Sequence, residues 1–187
     1  MRIIVAVSGA SGAVYGINIL KELAVRGVET HLVLSAAARY IITQETAWTV
    51  DRVTALASRT YEENDFTAPI ASGSFQCRAM VVAPCSMKTL AGIASGYAEN
   101  LILRAADVTI KEQRRLILVT RETPLSPIHL ENMLKLARLG AVIMPPVPAF
   151  YARPATIDDI VRQTTGRVLD LLGIENSLAH RWGEDRS

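Results

Sequence analysis

The chain has 187 residues and a formal net charge of +2, with half of its residues hydrophobic and a fifth charged. This length suits one well-buried α/β domain spanning residues 1–187, and the weak net charge without a basic block excludes nucleic acid and an anionic membrane surface as expected partners. No apolar run approaches the roughly 20 residues that cross a bilayer, and Met1 leads directly into an apolar stretch, so we expect a cytoplasmic protein without a membrane segment.

The first twenty residues combine a strand, a turn of glycine and serine, and the start of a helix. Arg2 to Val7 is almost purely apolar, which predicts a strand buried on both faces of a parallel sheet. The turn Ser8-Gly-Ala-Ser-Gly12 offers glycines for unusual backbone angles and a hydroxyl able to cap the helix from Val14 to Arg26. Free N–H groups and the helix dipole both point at such a turn, so we predict a phosphate site there.

Four further apolar strands alternate with helices along the rest of the chain. The strands are predicted over residues 29–34, 79–83, 116–120 and 141–144, and the polar stretch 58–75 gives no readable element. A final helix from Thr156 to Leu172 precedes a C-terminal tail, residues 173–187. This alternation predicts a doubly wound, mainly parallel sheet in a three-layer sandwich of the flavodoxin or Rossmann kind, in which ligands bind beyond the carboxyl ends of the strands.

Hydrogen-bonding side chains follow the predicted strands at that edge. They are Ser8 to Gly12, Ser35, Ser86 to Thr89, and Arg121 with Glu122, while the last strand runs through prolines to Tyr151. Three turns with hydroxyl groups at helix starts and one arginine suit a ligand with a phosphate and a polar ring system, which is the shape of FMN. The alternative, that these serines only cap their helices, stays open for each serine singly.

Six motifs resemble the UbiX-type flavin prenyltransferases, whose fold is similar to that of the flavin-containing cysteine decarboxylases. They are Ser8-Gly-Ala-Ser-Gly-Ala13, Pro84-Cys-Ser-Met-Lys-Thr89, Arg104-Ala-Ala-Asp-Val108, Arg121-Glu-Thr-Pro-Leu125, His129-Leu-Glu-Asn-Met133 and Pro145-Pro-Val-Pro-Ala-Phe-Tyr151. The resemblance implies transfer of a dimethylallyl group from dimethylallyl monophosphate to N5 and C6 of reduced FMN. It also implies that the prenylated FMN serves a UbiD-type decarboxylase and that the chain forms a homo-oligomer, a dodecamer.

The resemblance further assigns roles to individual residues. Catalytic roles fall to Ser11 in a proton relay, Glu45 in proton handling near the prenyl group, Glu122 in ordering the cations, and Tyr151 in a hydrogen bond to phosphate. The FMN contacts implied are Gly9, Ala10, Ser11, Ser35, Ser86, Met87, Lys88, Thr89 and Arg121. The contacts implied for the substrate phosphate are Arg104, Lys111, Arg121, Tyr151 and Arg167.

Elementary chemistry agrees with this assignment. An allylic carbon that leaves a phosphate develops positive charge while the phosphate gains negative charge, so the site needs cations on the phosphate. The paired aspartates Asp158 and Asp159 lie in a helix first turn without partners, so we predict a reaction without a metal. Arg104 and Lys111 belong to the helix before the fourth predicted strand, near the amino side of the sheet, and we therefore expect active sites at subunit interfaces.

Two other functions remain open at this point. An FMN-dependent decarboxylase, of the cysteine type or a subunit of a phenolic-acid enzyme, would need a base, usually a histidine, beside the flavin, but His31, His129 and His180 are interpreted as structural. A non-catalytic flavin carrier would need neither the extra cations nor the two glutamates, and such carriers are usually acidic. Trp182 is expected to be an interface or lid aromatic.

Overall fold

The computed structural model describes residues 1–183, in which six strands form one sheet with helices on both faces. The strands are β1 (Arg2–Val7), β2 (Glu29–Leu34), β3 (Arg59–Tyr61), β4 (Ala79–Cys85), β5 (Arg115–Thr120) and β6 (Val142–Ile143). The helices are α1 (Ala13–Val25), α2 (Ala36–Glu45), α3 (Val50–Thr54), α4 (Met87–Ser95), α5 (Leu101–Lys111), α6 (Pro127–Arg138) and α7 (Ile157–Leu172), with 3₁₀ turns at Pro69–Ala71 and Phe150–Ala152.

The order of the strands places a ligand crevice at the centre of the sheet. The order is β3-β2-β1-β4-β5-β6 and every pairing is parallel, with Val5 of β1 opposite Leu32 on one side and Val81 on the other. The chain therefore changes direction across the sheet between β1 and β4. In doubly wound sheets this switch point opens a crevice beyond the carboxyl ends of the two strands.

One hydrophobic core lies between the sheet and each of the two helical layers, and these two cores explain the strand sequences. The residues of β1 after Arg2 are buried and alternate between the two cores, so that Val5 joins the core with α1, α2, α3 and α7 while Ile4 joins the core with α4, α5 and α6. A strand buried on both faces has to be apolar at nearly every position, which is the pattern that predicted it. Among residues 1–183, no helix combines the length and the apolar character needed to cross a bilayer.

The sixth strand is a correction to the five predicted from sequence. β3 pairs in parallel with β2 at the edge of the sheet and lies inside the stretch 58–75 that gave no readable pattern. Its three residues are exposed or only partly buried. Because an edge strand of this length needs little apolar surface, its sequence carries no strand signal.

Helix α1 lies unusually close to the backbone of β4. Gly16 is buried in α1, and a Cβ atom at this position would collide with the carbonyl oxygen of Ala83 and would approach Cγ2 of Val7 to 2.9 Å. Only glycine allows this approach, which fixes the distance of α1 from the ends of β1 and β4.

His31 is buried in β2 with a hydrogen-bond partner at each ring nitrogen. Its Nδ1 lies 2.8 Å from the hydroxyl of Tyr61 and its Nε2 lies 3.1 Å from Oε1 of Glu29, which suits a neutral ring that accepts from the phenol and donates to the carboxylate. Burial lowers the pKa of His31, and Arg2 and Arg59 also lower it, although Glu29 raises it.

The lowered pKa of His31 makes stability depend on pH in one direction. When the pH falls below the ordinary histidine pKa, the unfolded chain binds a proton at His31 and the folded chain does not. The free energy of unfolding therefore falls as the pH falls, by at most about 1.4 kcal/mol per pH unit for one proton. We expect urea denaturation between about pH 7.5 and 5.5 to show this slope. His31→Gln should flatten this slope, and a slope that persists in His31→Gln would assign the titration to another group.

Candidate functional site

The turn of residues 8–12 after β1 forms the amino end of α1. Gly12 is the N-cap residue, with a φ of 101°, and it makes no side-chain cap, so the hydroxyl cap expected from this turn is not formed and Ser11 lies exposed. The N–H of Gly12 instead donates to Oε2 of Glu45 at 2.8 Å. The carboxylate predicted to handle a proton thus lies at the positive end of the α1 dipole.

Ser8 fastens the ends of β1 and β4 together. Its buried hydroxyl donates to the carbonyl oxygen of Pro84 at 2.9 Å and accepts from the N–H of Ser86 at 2.9 Å. Ser86 then caps α4, where its Oγ accepts from the N–H of Thr89 at 3.2 Å and donates to Thr89 Oγ1 at 3.1 Å. One buried hydroxyl therefore holds the turns after β1 and β4 next to each other.

Ser35 and Glu63 organise the neighbouring part of the same edge. Ser35 caps α2 by accepting from the N–H of Ala38 at 3.0 Å. The N–H of Ala36 donates to Glu63 Oε2 at 2.8 Å, and Oε1 of this carboxylate accepts from Asn100 Nδ2 at 3.0 Å. Glu63 thus joins the start of α2 to the start of α5, a role that sequence reasoning missed because Glu63 lies in the unreadable stretch.

Arg121 begins the segment after β5 and lies near the turn of residues 8–12. Its N–H donates to the carbonyl oxygen of Cys85 at 3.1 Å, which ties this segment to the end of β4. Burial raises the pKa of Tyr15, whereas the positive charge of Arg121 lowers it, which places phenol and guanidinium in one neighbourhood. Sequence reasoning missed Tyr15, although its position one turn after Gly12 on α1 is a usable signal. Glu122 is exposed and accepts from the N–H of Thr123.

The edge between these turns fits the FMN that the sequence predicts. Thr120 Oγ1, at the end of β5, is buried and has no hydrogen-bond partner among the described residues, so a polar group of a ligand could pair with it. A Cβ at Gly9 would lie 2.6 Å from Cβ of Ala37, so the turn of residues 8–12 packs against the first turn of α2 as closely as glycine allows. The residues placed here that could hold the cofactor are Gly9, Ala10, Ser11, Ser35, Ser86, Met87, Lys88, Thr89 and Arg121.

Tyr151 lies in the 3₁₀ turn before α7 and contacts the end of the chain. Its ring centroid is 5.3 Å from that of Trp182 in an edge-on arrangement and 5.9 Å from that of His180. Its hydroxyl lies 3.4 Å from Nε2 of Gln163. Trp182, expected at an interface or in a lid, therefore packs on a residue predicted to bind phosphate, and the tail residues 184–187 lie outside the described part.

Arg104 lies closer to the carboxyl edge than the sequence predicted. Helix α5 begins at that edge, because the N–H of Leu101 donates to the carbonyl oxygen of Glu63 at 2.7 Å, and Arg104 follows within one turn. Its side chain donates to the carbonyl oxygen of Ala71 at 3.0 Å and to Asp107 at 2.8 Å. Its guanidinium is therefore held between the 3₁₀ turn Pro69–Ala71 and its own helix.

The other two predicted phosphate cations lie farther from the switch point. Lys111 ends α5 near the amino edge of the sheet and pairs with Glu112, which accords with the expected position. Arg167 lies in the second half of α7 and donates to Asp170 at 2.9 Å. The chain therefore brings Glu45 and Arg121 to one edge but leaves Lys111 and Arg167 outside it.

A cavity of about 780 Å³ lies at the opposite, amino edge of the sheet. Arg115 in this cavity donates to the carbonyl oxygen of Leu171 at the end of α7, and Arg138 belongs to the last turn of α6. Cations at helix C-termini offset the negative end of the dipole, so these arginines have a structural role. The arginines that line the cavity are Arg78, Arg114, Arg115 and Arg138.

The thiols and carboxylates of the described residues show no metal site. No three histidine, cysteine, aspartate or glutamate side chains within residues 1–183 are grouped so that they could hold an ion, and the reaction without a metal stays a prediction. Cys85 is fully buried at the end of β4, and this burial raises the pKa of its thiol to about 12.

Comparisons with known proteins show which family this chain resembles. The model of a protein family described as Flavoprotein matches residues 1–169. Flavin prenyltransferase LpdB of Lactiplantibacillus plantarum is 54% identical over 185 residues, which cover 98% of this chain and 99% of LpdB. The crystal structure of AnUbiX (PadA1) in complex with FMN and dimethylallyl pyrophosphate matches with a TM-score of 0.97 and 51% identity, covering 99% and 98% of the two chains. The crystal structure of a dodecameric FMN-dependent UbiX-like decarboxylase from Escherichia coli O157:H7 matches with a TM-score of 0.96 and 51% identity. The match covers 98% of this chain and 100% of that chain.

Proposed function

Because this chain belongs to the Flavoprotein family and, within it, to the UbiX-type flavin prenyltransferases, we propose that it transfers a dimethylallyl group from dimethylallyl monophosphate to N5 and C6 of reduced FMN. The observation that carries this proposal is the convergence of the turns after β1, β2 and β4 with Arg121 at one edge. The product is the prenylated FMN used by a UbiD-type decarboxylase.

The residues of the edge bind the flavin and fix its position. Reduced FMN, when bound, supplies the atoms that attack the allylic carbon. The first turns of α2 and α4 face this edge with their positive ends. Ser35, whose oxygen caps α2, can still donate its own hydroxyl proton, whereas the Ser86 hydroxyl already donates to Thr89 Oγ1. Arg121 adds a positive charge beside them.

Glu45 and Ser11 are the residues proposed to move protons. The hydrogen bond from Gly12 holds the Glu45 carboxylate at the edge of the turn, so a proton released at C6 of the flavin can pass to it. Ser11 is exposed on the same turn, where its hydroxyl can give a proton to the departing phosphate. Glu122 follows Arg121 and is proposed to order the cations around that phosphate.

Subunit interfaces complete the site in this proposal. Lys111 and Arg167 lie away from the switch point of their own chain, and the Arg104 side chain bonds Ala71 and Asp107. All three are proposed to reach the site of a neighbouring subunit. Exposed apolar side chains of α6 support assembly into an oligomer, proposed to be a dodecamer. They belong to Ile128, Leu130 and Leu134, each at least half exposed, with Leu139 just beyond the helix.

A mixed oligomer tests the shared site. Glu45→Gln and Lys111→Ala should each abolish most of the turnover, but the two chains expressed together should recover activity that neither has alone. Recovery arises because some sites then take Glu45 from one subunit and Lys111 from its neighbour. Glu45→Gln expressed with Arg121→Ala is the matched control, since one subunit supplies both residues and no recovery is expected; equal recovery in the two pairs would contradict the shared site.

The reaction itself is tested by anaerobic incubation with reduced FMN and dimethylallyl monophosphate, without added metal, followed by mass spectrometry of the released flavin. A mass gain of one C5H8 unit is expected, and dimethylallyl diphosphate serves as the comparison donor. The released flavin should also activate a UbiD-type decarboxylase that lacks its cofactor. Unchanged FMN, with flavin binding verified in the same sample, would overturn the proposed reaction.

The chain is proposed to form one domain and to work in the cytoplasm. One sheet carries both helical layers and the family match spans residues 1–169, which supports a single flavoprotein domain over residues 1–187 with a tail from residue 173. Cys77 and Cys85 are both free thiols, which suits the reducing cytoplasm.

A further inference from the structure

The segment of residues 174–183, here called the C-terminal segment, folds back along α7. A Cβ at Gly166 would lie 2.6 Å from the backbone nitrogen of Ala179, so the segment contacts the helix backbone as closely as a glycine permits. Nδ2 of Asn176 donates to the carbonyl oxygen of Gly166 at 3.2 Å and to Asp170 at 3.0 Å. The segment is therefore fastened to one face of α7.

Gln163 makes the central contact between this segment and α7. Its side chain is nearly buried, with 8% of its surface exposed, and both of its polar atoms are used. Oε1 accepts from the N–H of His180 at 2.7 Å, and Nε2 donates to the carbonyl oxygen of His180 at 3.1 Å. The same Nε2 lies 3.4 Å from the hydroxyl of Tyr151, so one amide group fixes the segment and faces the phenol.

The segment in turn holds the ring of Tyr151. The rings of His180 and Trp182 contact it, Trp182 edge-on at 5.3 Å between centroids. Tyr151 itself is 44% exposed, and both of these ring contacts come from the C-terminal segment. The direction of its hydroxyl therefore depends on Gln163 and on the segment that Gln163 holds.

Arg167 is anchored by the same arrangement. It follows Gln163 by four residues and so lies on the same face of α7. Its Nη1 donates to Oδ2 of Asp170 at 2.9 Å, while Arg181 of the C-terminal segment donates to Oδ1 of that carboxylate at 2.9 Å. Two residues assigned to the substrate phosphate, Tyr151 and Arg167, are thus both tied to the C-terminal segment.

We propose that Gln163 is a positioning residue for the prenyl transfer, which acts through the C-terminal segment to fix the hydroxyl of Tyr151 where the phosphate of the dimethylallyl donor binds. The inference rests on the proposed function and adds to it a residue and a segment that are not assigned to the flavin or donor contacts. Since the contact concerns the donor phosphate only, loss of Gln163 acts on donor binding and leaves FMN binding unchanged.

Gln163→Leu tests this, because leucine is similar in size and removes both hydrogen bonds. We expect KM for dimethylallyl monophosphate to rise roughly tenfold with kcat and FMN affinity unchanged, since misplacing a binding group by about 1 Å is costly. Hydrogen exchange at the His180 amide should accelerate in the same variant. Trp182→Ala should raise the same KM, and because this side chain is exposed its loss should not impair folding. Gln76→Leu, also at an exposed position, is the matched control and should leave KM unchanged.

The decisive comparison is made in the Tyr151→Phe background. If Gln163 acts through the Tyr151 hydroxyl, Gln163→Leu adds no further rise in KM there, because coupled residues are not additive. Equal effects in both backgrounds, or an unchanged KM while His180 exchanges faster, would overturn the inference and leave the proposed function standing. A wild-type chain that makes no prenylated flavin would overturn the proposed function and this inference with it.

Discussion

Replacing Glu45 with glutamine is expected to lower the rate of prenyl transfer about 10²- to 10⁴-fold, the usual contribution of a positioned acid or base, and to leave FMN binding intact. The amide oxygen can still accept the hydrogen bond that Gly12 now donates to Oε2 at 2.8 Å, so the turn keeps its geometry. What the amide cannot do is take up a proton. The substitution therefore separates the proton-handling role from the structural one.

Single-turnover measurements with reduced FMN bound before the donor is added would test this expectation. Glu131→Gln, on the exposed surface of α6, is the matched control and should react at the wild-type rate. Normal turnover in Glu45→Gln would remove the proton-handling role. Loss of FMN binding in that variant would show instead that the negative charge of the carboxylate is needed to shape the flavin site.

Gly16→Ala is expected to have the largest effect on stability, about 3 kcal/mol, at the upper end for overpacking a core. Its new Cβ would collide with the carbonyl oxygen of Ala83, a backbone atom that cannot rotate away. Relief requires α1 to move from β4, and this would separate the turn of residues 8–12 from Ser86. We therefore expect weaker FMN binding together with the lower stability.

Urea denaturation at one fixed chain concentration is the measurement, because stability of an oligomer depends on concentration. Gly27→Ala serves as the comparison, since Gly27 has a φ of 64° and no atom within 4 Å of an added Cβ, so only backbone strain of about 1–2 kcal/mol is expected. If Gly16→Ala cost no more than Gly27→Ala, the close approach of α1 to β4 would not be required by the fold.

The sequence predicts those elements whose burial imposes a pattern. β1 begins at Arg2 and ends at Val7 as expected, because a central parallel strand has to be apolar on both faces. β3 could not be predicted, because an edge strand of three residues obeys no such demand. The cap of α1 differs for a related reason: Gly12 adopts a left-handed conformation that moves the start of the helix past Ser11, and no spacing rule distinguishes the two.

The residues of the candidate site also fall into those that the sequence could place and those that it could not. The turns that hold Ser35 and Ser86 could be placed together because parallel strands present their carboxyl ends at one edge. Glu63 and Gln163 could not, since their roles depend on side chains that meet across the fold. The predicted position of Arg104 was wrong in part. Hydrogen bonds to Glu63 fix the start of α5, and no periodic pattern in the sequence reveals them.

The burial of Cys85 has a consequence for work in air. Reduced flavins release peroxide when they meet oxygen, and peroxide oxidises a cysteine through its thiolate. With its pKa raised to about 12 and no exposed surface, the Cys85 thiol stays protonated at the end of β4 beside the proposed flavin edge. We expect that no sulfenic acid forms at Cys85 during repeated exposure to oxygen, because the sheet keeps this thiol protonated and out of contact with peroxide.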